Sequence, residues 1–125
     1  MYEMTFLPLN YKRKGKGLNM AKAVFHHFGV PTKDQQPNET YIEGAGVNIT
    51  DPESHPYGVE FLRFDADSPM PEVVKTKCHA AFKVDDLETA LKNKNVIIEP
   101  FDATDTLKCA FITDGDAVIE LMQEV

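Results

Sequence analysis

No run of apolar residues in this chain approaches the roughly 18 to 20 needed to cross a bilayer, and the N-terminus lacks the apolar core of a secretory signal. A soluble, cytoplasmic protein with no membrane partner is predicted. Cysteine is scarce: Cys78 and Cys109 are the two, each in an apolar, strand-like segment. That placement predicts reduced core residues rather than a disulfide framework. Positive charge is also sparse, with 13 Lys and Arg against 20 Asp and Glu for a net of −7. Residues 1–19 carry Lys12, Arg13, Lys14 and Lys16 against Glu3, a local +3, which leaves −10 on the rest. An acidic body repels phosphate backbones, so nucleic acid is not expected as the main partner.

At 125 residues the chain has the length of one domain. Residues 1–19 show no sustained period of 2 or 3.6 and are read as a leader or an extra strand, with the domain proper spanning 20–125. Ala21 to Pro31 alternates as a strand, with Val24, His26, Phe28 and Val30 on one face and Phe25, His27, Gly29 and Pro31 on the other. Tyr41 to Thr50 is a second strand, in which Gly44 and Gly46 suggest a bulge or a close backbone approach. Val59 to Phe64 is a third, placing Glu60 on the face of Leu62 and Phe64. Asp65 to Pro71 reads as a linker, followed by a strand over Lys75 to Val84. In that strand His79, Ala81 and Lys83 point one way, and Cys78, Ala80, Phe82 and Val84 the other, toward a helix. Asp85 and Glu88 resemble a capping box opening that helix, which should run to about Lys92. Asn95 to Glu99 is a short strand stopped by Pro100. Leu107 to Thr113 and Ala117 to Gln123 form a hairpin across Asp114-Gly115-Asp116, with Glu120 on the face of Val118 and Met122.

The halves on either side of the linker, about 21–64 and 75–124, can be laid over one another. HHFGVP at 26–31 matches CHAAFK at 78–83, setting His27 on His79. GVEFLRF at 58–64 matches VIELMQE at 118–124, setting Glu60 on Glu120. All four are titratable groups on strands with apolar neighbours, where burial without a partner is costly.

These phrases, with HAAFKVDDLETAL and AFITDGDAVIELMQ, resemble the vicinal oxygen chelate superfamily. That group includes glyoxalase I, methylmalonyl-CoA epimerase, extradiol dioxygenases and bleomycin-resistance proteins. The likeness covers roughly residues 24–124. It implies an α+β fold of paired βαβββ modules forming a curled mixed sheet around a metal-containing cleft. The second half fits a complete module. The first departs from it, since His27 to Glu60 is 33 residues against 41 from His79 to Glu120, so its helix is expected to be short or missing. Apolar sheet surface at Phe28 and Val30 is then left for the leader or a second subunit to cover, and a homodimer is expected.

His27, Glu60, His79 and Glu120 together offer an imidazole and carboxylate set suited to a divalent transition metal such as nickel, zinc, cobalt or iron. Similarity to glyoxalase I implies a lyase or isomerase acting on a small substrate with adjacent oxygens, with Glu60 or Glu120 removing a proton beside a metal-polarised carbonyl. The alternatives are a drug-binding protein of the bleomycin-resistance type, without catalysis, and an extradiol-type dioxygenase. His26 competes with His27 as ligand, but strand parity and the repeat both choose His27, leaving His26 a core or interface role. His55 is read as a loop histidine or a residue of the cleft mouth. Arg63 and Lys83 are either anion contacts for substrate or solvated charges.

Overall fold

The computed structural model describes residues 22–125, so the leader, its alternative as an extra strand, and a domain start at Met20 lie outside the described residues. Eight strands form one sheet: β1 (Ala23–Pro31), β2 (Thr40–Ile42), β3 (Val47–Ile49), β4 (Val59–Phe64), β5 (His79–Val84), β6 (Asn95–Thr104), β7 (Leu107–Asp114) and β8 (Ala117–Glu124). Their order across the sheet is β2-β3-β4-β1-β5-β8-β7-β6. The fold is α+β, a mixed sheet curled into a half-barrel with few helices. Each half repeats one pattern. Its first strand runs parallel to its fourth, β1 beside β4 and β5 beside β8, and the two first strands meet antiparallel at the centre. That central pairing relates the halves by an approximate twofold, which brings corresponding residues of the sequence repeat toward one another.

Alternation in β5 and β8 follows the sequence reading. Val84, Leu87, Ala110, Ile112 and Leu121 form a buried cluster on the outer, convex face, joined by Phe82, Ala90 and Leu91. Burying one such leucine is worth about 1.5–3 kcal/mol, so Leu87 is the main anchor of the short helix above it. That helix, α2 (Leu87–Ala90), is a single turn and not the two turns expected. Its N-cap is Asp86 rather than Asp85, and the Leu87 N–H is satisfied by Gln123 Oε1 of β8 at 2.7 Å. A cross-strand side chain thus replaces the capping box. Between β1 and β2 there is no helix, as the shorter spacing of the first half suggested.

Four local expectations are corrected. Tyr41 to Thr50 is a tight hairpin, because Gly46 adopts φ 61° after a 3-10 turn over Glu43–Ala45 and reverses the chain into β3. Glu72–Thr76 forms α1 where the N-terminal end of a strand was expected, burying Val74. β6 continues through Pro100, which costs little because β6 is an edge strand whose register shifts between Ile98 and Phe101. In β1 a bulge between Phe25 and His27 inverts the parity, so Phe25 leaves the face of His27 and stacks with Phe28 and Phe82 outside, at centroid distances of 5.0 and 5.7 Å.

The turn between β7 and β8 has Gly115 at φ 60° with Asp114 paired to Ala117, a two-residue loop with glycine first. A side chain there would meet no neighbouring atom, so backbone conformation alone sets the requirement. Gly115→Val is therefore expected to destabilise the domain by about 1–3 kcal/mol. Thermal unfolding checks it, and an unchanged melting temperature would contradict it.

Candidate metal centre

His27 and His79 lie on the two central strands, and the antiparallel register sets each opposite a small residue of the other strand. His27 faces Ala81, and His79 faces Gly29. In both halves that small residue follows its own histidine by two positions, and it also pairs with the glutamate of its half: Gly29 with Glu60, Ala81 with Glu120. The approximate twofold thus gathers all four residues on the concave face. One donor atom from each of His27, Glu60, His79 and Glu120 lies within 4.8 Å of every other. A common ion at about 2.0–2.2 Å from each donor requires separations up to about 4.5 Å, so the cluster closes with shifts of a few tenths of an ångström.

Both histidines are buried, 3% and 2% exposed, too deep for solvent to satisfy their nitrogens. His79 Nε2 lies 3.1 Å from Glu120 Oε1. His27 Nε2 faces Glu60 Oε1 at 3.3 Å and Glu120 Oε1 at 3.5 Å. Yet His27 Nε2 and His79 Nδ1 are buried without a hydrogen-bond partner. An orphaned imidazole nitrogen aimed between two carboxylates fits a cation, and this buried His and Glu cluster could hold a metal ion. The donor set, two nitrogens and two carboxylates, suits a divalent transition metal better than calcium or magnesium, which prefer oxygen alone.

Electrostatics agree with that fit. Burial pushes the His27 pKa down, but the Glu120 and Glu60 carboxylates close to its Nε2 outweigh it and hold it up to about 9. Burial likewise opposes the charge on Glu120, yet the two imidazoles beside it, His27 at 3.5 Å and the hydrogen-bonded His79 at 3.1 Å, keep its carboxyl well below the usual range. In the metal-free protein a proton therefore supplies the positive charge the carboxylates demand. Cys109 sits beside Glu120 and is 1% exposed; burial, reinforced by that carboxylate, pushes its thiol far up, so it stays protonated and is no thiolate ligand.

No protein-family model matches this chain, and no curated protein matches it. The site therefore stands on its own geometry.

Beyond the quartet the concave face is apolar. A cleft of about 690 Å³, its open mouth included, reaches His27, Glu60 and Glu120. Leu62, Phe64, Met70, Phe101, Phe111 and Met122 are among its apolar wall residues, and no lysine or arginine lines it among the described residues. Other candidates fall elsewhere. His55 does not line the cleft; its Nδ1 accepts the N–H groups of Tyr57 and Val59 at 3.0 and 3.3 Å and shapes the loop before β4. Lys83 pairs with Glu124 at 2.7 Å. Arg63 holds Glu39 with two charge-assisted hydrogen bonds of 2.7 and 2.9 Å. Neither is left free for a substrate anion. Cys109 is a core residue as expected, whereas Cys78 is exposed just before β5.

The hydrogen bond from Arg63, with a backbone N–H at Gln36, brings the Glu39 carboxyl down to about 2. A lowered folded-state pKa adds stability above the unfolded value near 4.5, and that stability is lost as pH falls toward 2. Glu39→Gln should therefore flatten the loss of stability between pH 4.5 and 2, as read by urea midpoints at each pH. Parallel curves for the two proteins would contradict the pairing.

Gly29 is the functional residue that periodicity overlooked. Its hydrogen leaves the space filled by the His79 imidazole, which also packs edge-on against Phe111 at a centroid distance of 5.1 Å. The signal available was a small residue two positions after each histidine of the repeat.

Proposed function

We propose that this protein is a metal-dependent lyase or isomerase of the glyoxalase type, built from paired βαβββ modules of the vicinal oxygen chelate superfamily, with the first module's helix missing. The observation that carries the reading is the convergence of His27, Glu60, His79 and Glu120, one His and one Glu from each half, beside a cleft that three of them line. A divalent metal held there, nickel, zinc or cobalt, supplies Lewis acidity toward a substrate oxygen. The two carboxylates take different parts. Glu120 faces both histidines, at 3.1 and 3.5 Å, and is the anchored member. Glu60 faces only His27, at 3.3 Å, so it is the freer carboxylate and the better placed to take a proton from a carbon beside a polarised carbonyl. The apolar cleft walls favour a small substrate with an apolar body and adjacent oxygens. Among the described residues no lysine or arginine lines the cleft to pair with a phosphate or an extended anionic carrier.

That apolar lining also suits a second reading, sequestration of a drug-like molecule without chemistry. Elemental analysis of the purified protein separates them. Near-stoichiometric nickel, zinc or cobalt supports the lyase or isomerase, iron would move the reading to a dioxygenase, and no metal after reconstitution would leave the binding protein.

A homodimer and a cytoplasmic location complete the proposal. Phe25 and Phe28, 47% and 48% exposed, form an aromatic patch on the outer face where the first half lacks a helix. Among the described residues no helix is long and apolar enough to cross a membrane. Light scattering at tens of micromolar should report twice the chain mass, and a monomer would count against the dimer.

A further inference from the structure

His26 was expected to serve the core or an interface, yet the bulge in β1 turns its ring along the strand toward His27. His26 Nδ1 lies 2.7 Å from His27 Nδ1, and His26 Nε2 lies 3.1 Å from Glu53 Oε2. Because one nitrogen of such a pair must donate and the other accept, the two contacts constrain each other. Glu53 as a carboxylate only accepts, so a neutral His26 carries its proton on Nε2 and presents a bare Nδ1 to its neighbour. His27 must then donate from Nδ1, which leaves Nε2 as the nitrogen whose lone pair is released when a metal replaces its proton. That Nε2 is the atom aimed at Glu60 and Glu120.

We infer that His26 and Glu53 are positioning residues: they fix His27 in the tautomer and ring orientation that direct Nε2 into the metal site, as a chain Glu53···His26···His27. The inference rests on the metal reading above and adds residues to it. Glu53 is itself held in place, since the Asp51 side chain accepts its backbone N–H at 2.9 Å and the hydroxyl of Ser54 at 3.0 Å, fixing the 3-10 turn Pro52–Ser54. Here an imidazole stands between the ligand histidine and the carboxylate that commonly orients it directly. The two halves differ in this respect. His79 Nδ1 has no partner, and its ring is set by the contact with Gly29 and Phe111 instead. The Nδ1 of His27 is held by a hydrogen bond, and that of His79 is not.

Two measurements test this on the full chain. In ¹⁵N-labelled protein, a nitrogen–nitrogen coupling across the hydrogen bond between His26 and His27 Nδ1 should be visible, and zinc-loaded protein should show His27 protonated on Nδ1. Zinc affinity by chelator competition should fall about 10- to 100-fold in His26→Ala, the loss typical of an orienting partner. His26→Asn keeps an acceptor near the Nδ1 position and should recover most of that loss, a rescue that a merely structural role would not show. Glu53→Gln should weaken zinc by less than His26→Ala. If wild-type protein binds zinc while His26→Ala binds it equally well, or His27 is protonated on Nε2, the inference is overturned and the metal site stands. If wild-type protein binds no divalent metal, the metal site falls and takes this inference with it.

Discussion

Gly29→Ala is expected to abolish tight metal binding and to destabilise the domain by about 1–3 kcal/mol, the usual range for a side chain forced into a packed site. A Cβ at this position would overlap the His79 ring, leaving even Nδ1 only 2.6 Å away. The His79 ring also packs edge-on against Phe111, at a centroid distance of 5.1 Å, which limits where it can move. Either the imidazole swings out of the cluster or β1 and β5 separate where Gly29 and His79 pair. Chelator competition with zinc and thermal unfolding read the two consequences. Retained zinc affinity in a stable Gly29→Ala protein would mean that the ring packs elsewhere.

His79→Ala should weaken zinc binding by more than about 100-fold, beyond the loss expected from an orienting residue, since it removes one of four ligands. The fold should survive. Phe82 and Val84, which pack α2 and the outer core, are untouched by the change, and the lost contact with Glu120 costs about 1–2 kcal/mol. The two substitutions should also couple. With the imidazole gone, a methyl group at residue 29 meets open space, so Gly29→Ala combined with His79→Ala should be more stable than Gly29→Ala alone. Strictly additive losses would show that the two residues do not compete for one volume.

How much of this was written in the chain differs from element to element. β4, β5 and β8 were legible because each keeps an unbroken alternation, so that a slip of one residue would carry Glu60, His79 or Glu120 to the opposite face. From those strands the inward placement of Glu60, His79 and Glu120 follows directly. His27 came out correctly, but its neighbours did not: the bulge at His26 obeys no period, so Phe25 could not be placed by counting. α2 was overextended because sequence shows a good N-terminus without showing that Gln123, 36 residues later, caps it. Pro100 looked like a stop because an edge position is a property of the sheet and not of the segment.

The sequence by itself determined which residues could form the site, since the repeat sets a histidine and a glutamate at matching places in each half, and alternation decides which way they point. Only the tertiary structure decided that they meet. Convergence depends on β1 and β5 pairing antiparallel at the sheet centre, a contact between residues 50 or more positions apart whose register no local propensity encodes. The same pairing sets Gly29 under His79, and the bulge beside it turns His26 toward His27. Both are consequences of which strands become neighbours, and that is settled by burial of the whole sheet rather than by any one stretch of it.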